Sequence, residues 1–225
     1  MINLDRFANL IGNDKLSVIR NARVLVIGIG GVGGYTVESL ARSGVGYIHI
    51  VDYDKVDDTN VNRQIIALNS TVGQNKVEVM KNRIKDINPS IEVVATNIFV
   101  NESNIEDFIK DVDFVVDACD TVATKLALIL ACKKFNIPFI SCMGTGNKMD
   151  PTRLKIMDIR KTSYDPLAKK MRKFVKDNKV KGKVMVICSD EPKYSEVSTP
   201  IPSNAFVPAI AGLLATSYVI NEIIK

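Results

Sequence analysis

The chain has 225 residues, of which 46% are hydrophobic and 24% charged, and its formal net charge is +5. This composition suits one large domain that buries a full core without disulfides or metal staples. The first residues mix apolar and charged side chains, so no secretory signal is expected and the protein is predicted to be cytoplasmic. The four cysteines occur singly, which predicts no zinc site and reduced, buried thiols.

The predicted elements form a single domain over residues 1–225. A helical arm over 1–22, with Asp14 as the expected helix cap, precedes a nucleotide-binding core over 23–142. A basic, substrate-binding elaboration over 143–203 then leads to a C-terminal helix over 204–225.

The segment 23–33 predicts a buried strand, a tight turn and the start of a helix. Val37, Leu40 and Ala41 follow at helical spacing. Glycine lets the backbone approach a phosphate closely, and the amides at a helix start favour negative charge. Such glycines also occur in purely structural turns. The residues expected to form this nucleotide-binding turn are Gly28, Gly30, Gly31 and Gly33.

The next predicted strand, residues 47–51, ends at Asp52, which lies 19 residues after Gly33. A carboxylate at this place in a doubly wound fold binds ribose hydroxyls, so the glycines and Asp52 together predict a nucleotide site. The only histidine, His49, alternates within the strand and is expected to be structural. Chemistry therefore depends on carboxylates, lysine, arginine and bound metal.

Strands and helices continue to alternate along the chain. Strands are predicted over 91–95, 113–117 and 138–142, with helices at 74–87, 101–109 and 121–135. This order predicts an α/β fold, a doubly wound, Rossmann-like, mostly parallel sheet with helices on both faces. Asp120 follows the strand at 113–117, at the edge where such sheets bind ligands.

The C-terminal part of the chain is basic. Residues 148–183 carry thirteen lysines and arginines against four aspartates, a net of +9 that leaves the rest of the chain at −4. Strands are predicted at 154–159 and 183–188, with a basic helix at 166–177. The uncharged segment 197–221 retains about 16 apolar-rich residues, short of a bilayer span, so no stable membrane insertion is expected.

Several motifs resemble the adenylating superfamily of ubiquitin-activating enzymes. They are the glycines at 28–33, Asp-Tyr-Asp at 52–54, Asn-Val-Asn-Arg-Gln at 60–64 and Thr-Val-Gly-Gln-Asn-Lys at 71–76. Within that superfamily, residues 41–46, 86–89, 149–154 and 158–168 most resemble the tRNA threonylcarbamoyladenosine dehydratases. The resemblance implies an ATP-dependent dehydration, in which the substrate carboxylate is adenylated and then closes into a ring with loss of AMP.

The resemblance also implies site residues. Asp52 would accept ribose hydroxyls, and Arg63 and Lys76 would hold the triphosphate. Magnesium would bind Asp120, with help from Asp54. The resemblance adds Asn60 and Gln64 as phosphate donors, and Arg6 as a contact to a partner subunit's ATP, although Asn9 stands where a second arginine is usual.

The implied partners are tRNA and a second copy of the chain in a homodimer, with a sulfur-transfer protein as a further candidate. Seven basic residues are expected to contact tRNA phosphates. They are Arg153, Arg160, Lys169, Lys170, Arg172, Lys173 and Lys176.

Three alternatives stay open at this point. A nicotinamide-dependent oxidoreductase shares the glycine turn and Asp52, but it has no use for the Arg63 and Lys76 pair. A non-catalytic nucleotide sensor would share the whole pocket. An activator of a sulfur-carrier protein is the main alternative. The missing cysteine pairs argue against it, and Cys188 would be its reactive thiol.

Overall fold

The computed structural model describes residues 2–197 and 199–225. Its secondary structure alternates helices and strands after an N-terminal helical pair. The elements are α1 Asp5–Ile11, α2 Asn13–Asn21, β1 Arg23–Ile27, α3 Gly33–Arg42, β2 Tyr47–Val51, α4 Lys76–Ile87, β3 Glu92–Thr96, α5 Ile105–Ile109, β4 Phe114–Asp117, α6 Val122–Phe135, β5 Phe139–Cys142, β6 Leu154–Asp158, α7 Pro166–Asp177, β7 Met185–Ser189 and α8 Val207–Ile223.

The strands form one seven-stranded sheet in the order β3-β2-β1-β4-β5-β7-β6. All neighbouring pairs are parallel except β6 with β7, which is antiparallel. The predicted doubly wound, mostly parallel α/β fold is therefore confirmed. The antiparallel edge strand β6 is a common addition to such sheets.

The sheet is buried on both faces because its strands are apolar at consecutive positions. In β1, Val24 and Val26 face one core with α3, α4 and α8, whereas Leu25 and Ile27 face a second core with α5, α6 and α7. This alternation follows from the two-residue period of a strand. Helices cover both faces, as the continuous apolar run of β1 predicts.

The sheet order reverses between β1 and β4. The helix that follows β1, α3, packs in the first core, whereas the helix that follows β4, α6, packs in the second. The loops after β1 and β4 therefore diverge and leave a crevice at the carboxyl edge, where open α/β sheets bind ligands.

The N-terminal arm departs from the expected single helix. Two helices form because Gly12 adopts φ +88°, a conformation that ends α1 and starts α2. Asp14 lies in the first turn of α2 and is not its cap, so that prediction was wrong.

Helix α8 packs against α3 and the sheet. A Cβ atom at Gly212 would lie 2.4 Å from the carbonyl oxygen of Val32, so glycine allows the two helices to approach closely. Thr216 donates a hydrogen bond to the carbonyl of Thr36. The predicted C-terminal helix is thus part of the core. Within residues 2–197 and 199–225, the structure contains no helix with the length and apolarity needed to cross a membrane.

Candidate active site

The glycine turn lies at the reversal point of the sheet, between β1 and α3. Gly28 adopts φ +90°, and a Cβ atom there would lie 2.8 Å from the carbonyl atoms of Ala118. A Cβ atom at Gly33 would lie 1.8 Å from the carbonyl oxygen of Gly28. Both positions therefore need glycine so that the turn can close on itself and on the loop after β4.

Asp52 links the glycine turn to the end of β2. Its buried carboxylate accepts hydrogen bonds from the backbone N–H of Ile29 at 2.6 Å and of Asp54 at 2.8 Å. Burial raises the pKa of Asp52, although the charge of Lys76 and the two backbone bonds oppose this rise. Each carboxylate oxygen keeps a second lone pair, so Asp52 can still accept a ribose hydroxyl.

Lys76 begins α4 and points its ammonium group at Asp54. The Nζ to Oδ2 distance is 2.9 Å, and the Lys76 side chain is buried whereas that of Asp54 is 46% exposed. Ion pairs with an exposed partner contribute only about 0–1 kcal/mol to the free energy of unfolding. A phosphate group can therefore compete with Asp54 for this ammonium group at little cost.

A short turn after β2 carries three more of the predicted residues. Arg63 donates to the carbonyl of Thr59 at 2.7 Å, and its Cγ lies 3.5 Å from where a Cβ of Gly31 would stand. Buried Asn60 uses its side-chain oxygen to accept the N–H of Asp57 at 3.2 Å. This contact makes Asn60 a residue that shapes the turn carrying Arg63.

Gln64 lies beside the glycine turn. Its Nε2 atom would lie 3.8 Å from a Cβ at Gly30. Its Oε1 atom is buried and has no hydrogen-bond partner within the described residues. A buried polar atom without a partner is costly. The Nε2 amide group is the part of Gln64 that lies beside Gly30 and can donate to a ligand there.

Asp120 lies in the loop after β4 and is exposed to solvent. The charge of Asp54, first, then burial and the charge of Asp120 raise the pKa of Tyr53. Across the described residues, no three acidic, histidine or cysteine side chains cluster to hold a metal ion. Magnesium at Asp120 would thus require further oxygen ligands from phosphates.

Arg6 is not brought to this site within one chain. It is exposed on α1. The neighbouring Leu4 packs at Gly44, beyond the end of α3 that is remote from the glycine turn. The ten residues of α3 separate the two places by about 15 Å.

The seven predicted tRNA contacts fall into two groups. Arg153 pairs with Asp190 at 2.7 Å. Arg160 binds Asp158 and two backbone carbonyls, and Arg172 donates to Thr162 at 2.5 Å. These arginines are engaged internally, whereas the lysines are exposed on α7. The exposed group is Lys169, Lys170, Lys173 and Lys176.

Sequence reasoning missed a buried polar cluster behind the site. Lys125 of α6 lies 3.0 Å from both carboxylate oxygens of Asp117, the last residue of β4, and Ser141 donates to the same carboxylate at 2.5 Å. A single lysine within the apolar start of α6 was the available signal. Its partner could be found only from the strand order.

The close backbone contacts of the glycine turn predict how a substitution there changes the stability of the protein. We expect Gly33→Ala to lower the free energy of unfolding by about 3 kcal/mol or more, because the added Cβ displaces backbone. That loss corresponds to a melting temperature roughly 6–12 °C lower for a chain of this size. The control is Gly30→Ala, where the nearest atom to the new Cβ is 3.8 Å away. Equal melting temperatures for the two variants would contradict the described turn.

Comparison with known proteins places this chain in a family. The tRNA threonylcarbamoyladenosine dehydratase of Bacillus subtilis is 46% identical over 96% of this chain and 92% of its own length. The crystal structure of the Escherichia coli dehydratase in complex with ATP matches with a TM-score of 0.92 and 37% identity, covering 98% of this chain and 93% of that one.

A relative with another named activity matches less of the chain. The adenylyltransferase and sulfurtransferase MOCS3 of Culex quinquefasciatus is 39% identical over 55% of this chain and 28% of its own length. The sequence model of the ThiF family, in contrast, matches residues 4–223. The predicted resemblance is therefore confirmed, and the chain belongs to the ThiF family.

Proposed function

We propose that this protein is an ATP-dependent dehydratase that cyclises threonylcarbamoyladenosine in tRNA. The likeness to the Bacillus subtilis dehydratase carries the proposal, because it extends over 96% of this chain. The geometry agrees with it, since the glycine turn, Asp52, Arg63 and Gln64 meet at one edge of the sheet. Fold alone would not establish the substrate.

The site fits a nucleoside triphosphate. A Cβ at Gly30 would meet only Gln64 within 4 Å, so the turn leaves open space that a phosphate can enter. The Nε2 amide group of Gln64, which lies beside this space, can donate to a phosphate oxygen. Asp52 would bind the ribose, while Arg63 and Lys76 would hold the phosphates. Asp120 would hold Mg²⁺ with Asp54 as helper, and the ion would neutralise phosphate charge.

The reaction then needs positioning and charge neutralisation more than covalent help from the protein. An oxygen of the substrate carboxylate attacks the α-phosphorus of ATP, and pyrophosphate leaves. A nucleophile within the substrate next attacks the activated acyl carbon and displaces AMP, which closes the ring. The oxygen lost by the substrate ends in AMP, so the nucleoside loses one water. Cationic side chains fixed before reaction, such as Lys76, accelerate such steps.

The substrate arrives attached to a polyanion, and α7 offers a surface for it. Asp165 caps α7 through the N–H of Ala168. Its carboxylate would lie 2.5 Å from a Cβ at Gly144, just beyond β5. The start of α7 therefore lies at the sheet edge that carries the site, and its exposed lysines can contact tRNA phosphates.

This surface makes a prediction about salt dependence. Changing Lys169, Lys170 and Lys173 together to glutamine should weaken tRNA binding. The slope of log affinity against log salt should flatten by roughly 0.7–0.9 per lost phosphate contact. ATP affinity should stay unchanged, because these side chains lie outside the glycine turn. Fluorescence anisotropy across a salt series measures the slope.

The matched control changes three exposed lysines that pair with carboxylates on other surfaces, namely Lys110, Lys134 and Lys225. This control should keep the parent slope. Coincident lines for the parent and the α7 variant would show that these lysines only face solvent.

Activation of a sulfur-carrier protein is the second candidate, and the thiols argue against it. Burial raises the pKa of Cys132, Cys142 and Cys188 to about 12. Burial, with the nearby Asp117 charge, also raises the pKa of Cys119 well above its usual value. Since the thiolate is the nucleophile, none of the four suits a thiol intermediate at neutral pH.

Alkylation tests this point. At pH 8, a thiol of pKa about 12 carries roughly a thousandfold less thiolate than a free cysteine. Iodoacetamide should therefore leave the native protein unlabelled over a period that labels all four thiols in urea. Rapid labelling of native Cys188, followed by loss of activity, would favour the sulfur-carrier reaction.

The active unit is proposed to be a cytoplasmic homodimer. Arg6 lies remote from the glycine turn of its own chain, so it would reach an ATP only in a partner copy. Sedimentation of the parent and of Arg6→Ala, with ATP affinity for each, distinguishes assembly from contact. A sulfur-transfer protein stays a prediction from the resemblance, and co-purification would test it.

The proposed function is tested by its two leaving groups. Release of pyrophosphate and AMP should require tRNA that carries threonylcarbamoyladenosine, and tRNA without the modification is the control. Release with a sulfur-carrier protein and none with modified tRNA would favour the second candidate.

A further inference from the structure

A buried ion pair lies directly behind the loop that carries Asp120. Lys125 and Asp117 are both 0% exposed. The Nζ atom of Lys125 lies 3.0 Å from each carboxylate oxygen and 2.8 Å from the carbonyl oxygen of Cys142. Ser141 donates to Asp117 Oδ2 at 2.5 Å. The pair is therefore fully hydrogen-bonded within the core.

Stability alone does not account for this pair. Burying two charges costs desolvation energy, and well-packed apolar residues of the same volume are often as stable or more so. Burial lowers the pKa of Lys125, but the charge and hydrogen bond of Asp117, together with the nearby thiols of Cys119 and Cys142, raise that pKa above its usual value. Lys125 therefore remains a cation inside the core. The reason for the ion pair is sought in its contacts with neighbouring segments.

The carboxylate of Asp117 organises the loop after β4. Asp117 Oδ1 accepts the backbone N–H of Cys119 at 3.2 Å and its S–H at 3.0 Å. The same loop forms the floor of the glycine turn, since a Cβ at Gly28 would lie 2.8 Å from the backbone of Ala118 and Cys119. Asp120 is the next residue along the chain.

Lys125 joins this loop to two other segments. It projects from α6, it holds Asp117 at the end of β4, and it donates to Cys142 at the end of β5. Without its ammonium group, Asp117 would be an unpaired negative charge beneath a turn that is proposed to bind phosphates. The lysine thus keeps the loop in one conformation and neutralises its charge.

We propose that Lys125 is a positioning residue, which acts through Asp117 to hold Asp120 in place against the glycine turn. The inference rests on the proposed function only where it assigns Asp120 to the magnesium of bound ATP. Lys125 itself is fully buried, so its proposed effect on bound ATP passes through Asp117.

Calorimetric titration with ATP, in the presence of magnesium and in its absence, tests the proposal without tRNA. The variant Lys125→Met with Asp117→Asn removes both charges together and leaves no unpaired buried ion. We expect the gain in ATP affinity that magnesium confers to fall by about tenfold or more, as in Asp120→Asn. ATP affinity without magnesium should stay near the parent value.

The control is Arg83→Met, which breaks the ion pair of Arg83 with Glu38 between α3 and α4. It should lower the melting temperature and keep the magnesium-dependent gain. Asp117→Asn alone keeps an acceptor for Lys125 and provides a second variant if the double variant does not fold. This single variant should lose a smaller part of the gain in ATP affinity that magnesium confers.

A folded double variant, or a folded Asp117→Asn, with the parent's magnesium-dependent gain would overturn the proposal. So would a parent whose ATP affinity does not depend on magnesium, because Asp120 would then have no ion to place. The titration needs only ATP and magnesium. It therefore tests the role of Lys125 even if the protein does not act on tRNA.

Discussion

Lys76→Met should reduce turnover at saturating ATP by roughly 100-fold or more. The proposed role of Lys76 is to neutralise phosphate charge during attack on the α-phosphorus, and methionine removes that charge. Folding should survive, because methionine keeps the apolar stem that packs at the start of α4. The lost pair with half-exposed Asp54 contributes only about 0–1 kcal/mol. Initial rates of pyrophosphate release, with melting curves, measure both effects.

The matched control is Lys81→Met on the same helix, one turn further from the site. It should retain parent turnover and a similar melting temperature. If Lys76→Met keeps near-normal turnover while folded, the assigned role of Lys76 is wrong.

Asp120→Ala should also abolish measurable turnover and leave the melting temperature almost unchanged. The side chain is exposed, and its carboxylate accepts a long hydrogen bond from the hydroxyl of Thr121 at 3.5 Å. Removing it therefore costs little stability, but it removes the carboxylate proposed to hold magnesium on the phosphates. Asp86→Ala, at an exposed carboxylate on α4, is the control and should keep parent rates.

A rate for Asp120→Ala within a few-fold of the parent would exclude Asp120 as the magnesium ligand. Raising magnesium in the assay adds a second reading, because a weakened ion site should regain part of its rate. Unchanged rates across the magnesium series would indicate another role for the loop.

Local pattern was sufficient to predict much of the fold. The strand at Tyr47–Val51 was predicted with its observed bounds, because an apolar run between Gly46 and Asp52 has clear ends. The glycine turn was equally clear, since its spacing and the following helix pattern are both local. The helix Pro166–Asp177 was also predicted with its observed bounds, and the structure shows Asp165 as its cap and proline at its start.

Features that depend on distant contacts could not be predicted in this way. The strand at Leu154–Asp158 was expected, but its antiparallel pairing with β7 depends on where the chain returns. The break between α1 and α2 depends on a positive φ at Gly12, which many glycines do not adopt. The pairing of β6 with β7 follows from tertiary packing, which local pattern does not specify.

In the candidate site, too, local motifs identified some residues, whereas contacts between distant segments could not be predicted. Sequence motifs located Asp52, Lys76 and Gln64, and the structure brings all three to the carboxyl edge of the sheet. Motifs could not indicate that the guanidinium group of Arg160 is hydrogen-bonded to Asp158 and two backbone carbonyls. They also missed Lys125, because a buried lysine becomes informative only when its partner is known.

The most direct measurement of the central claim is the mass of the product nucleoside. The protein is incubated with ATP, magnesium and tRNA bearing threonylcarbamoyladenosine, and the tRNA is digested to nucleosides and weighed. We expect the modified nucleoside to lose the mass of one water, the loss to require ATP, and Lys76→Met to prevent it. An unchanged nucleoside mass, with folded protein that binds ATP, would contradict the proposed function.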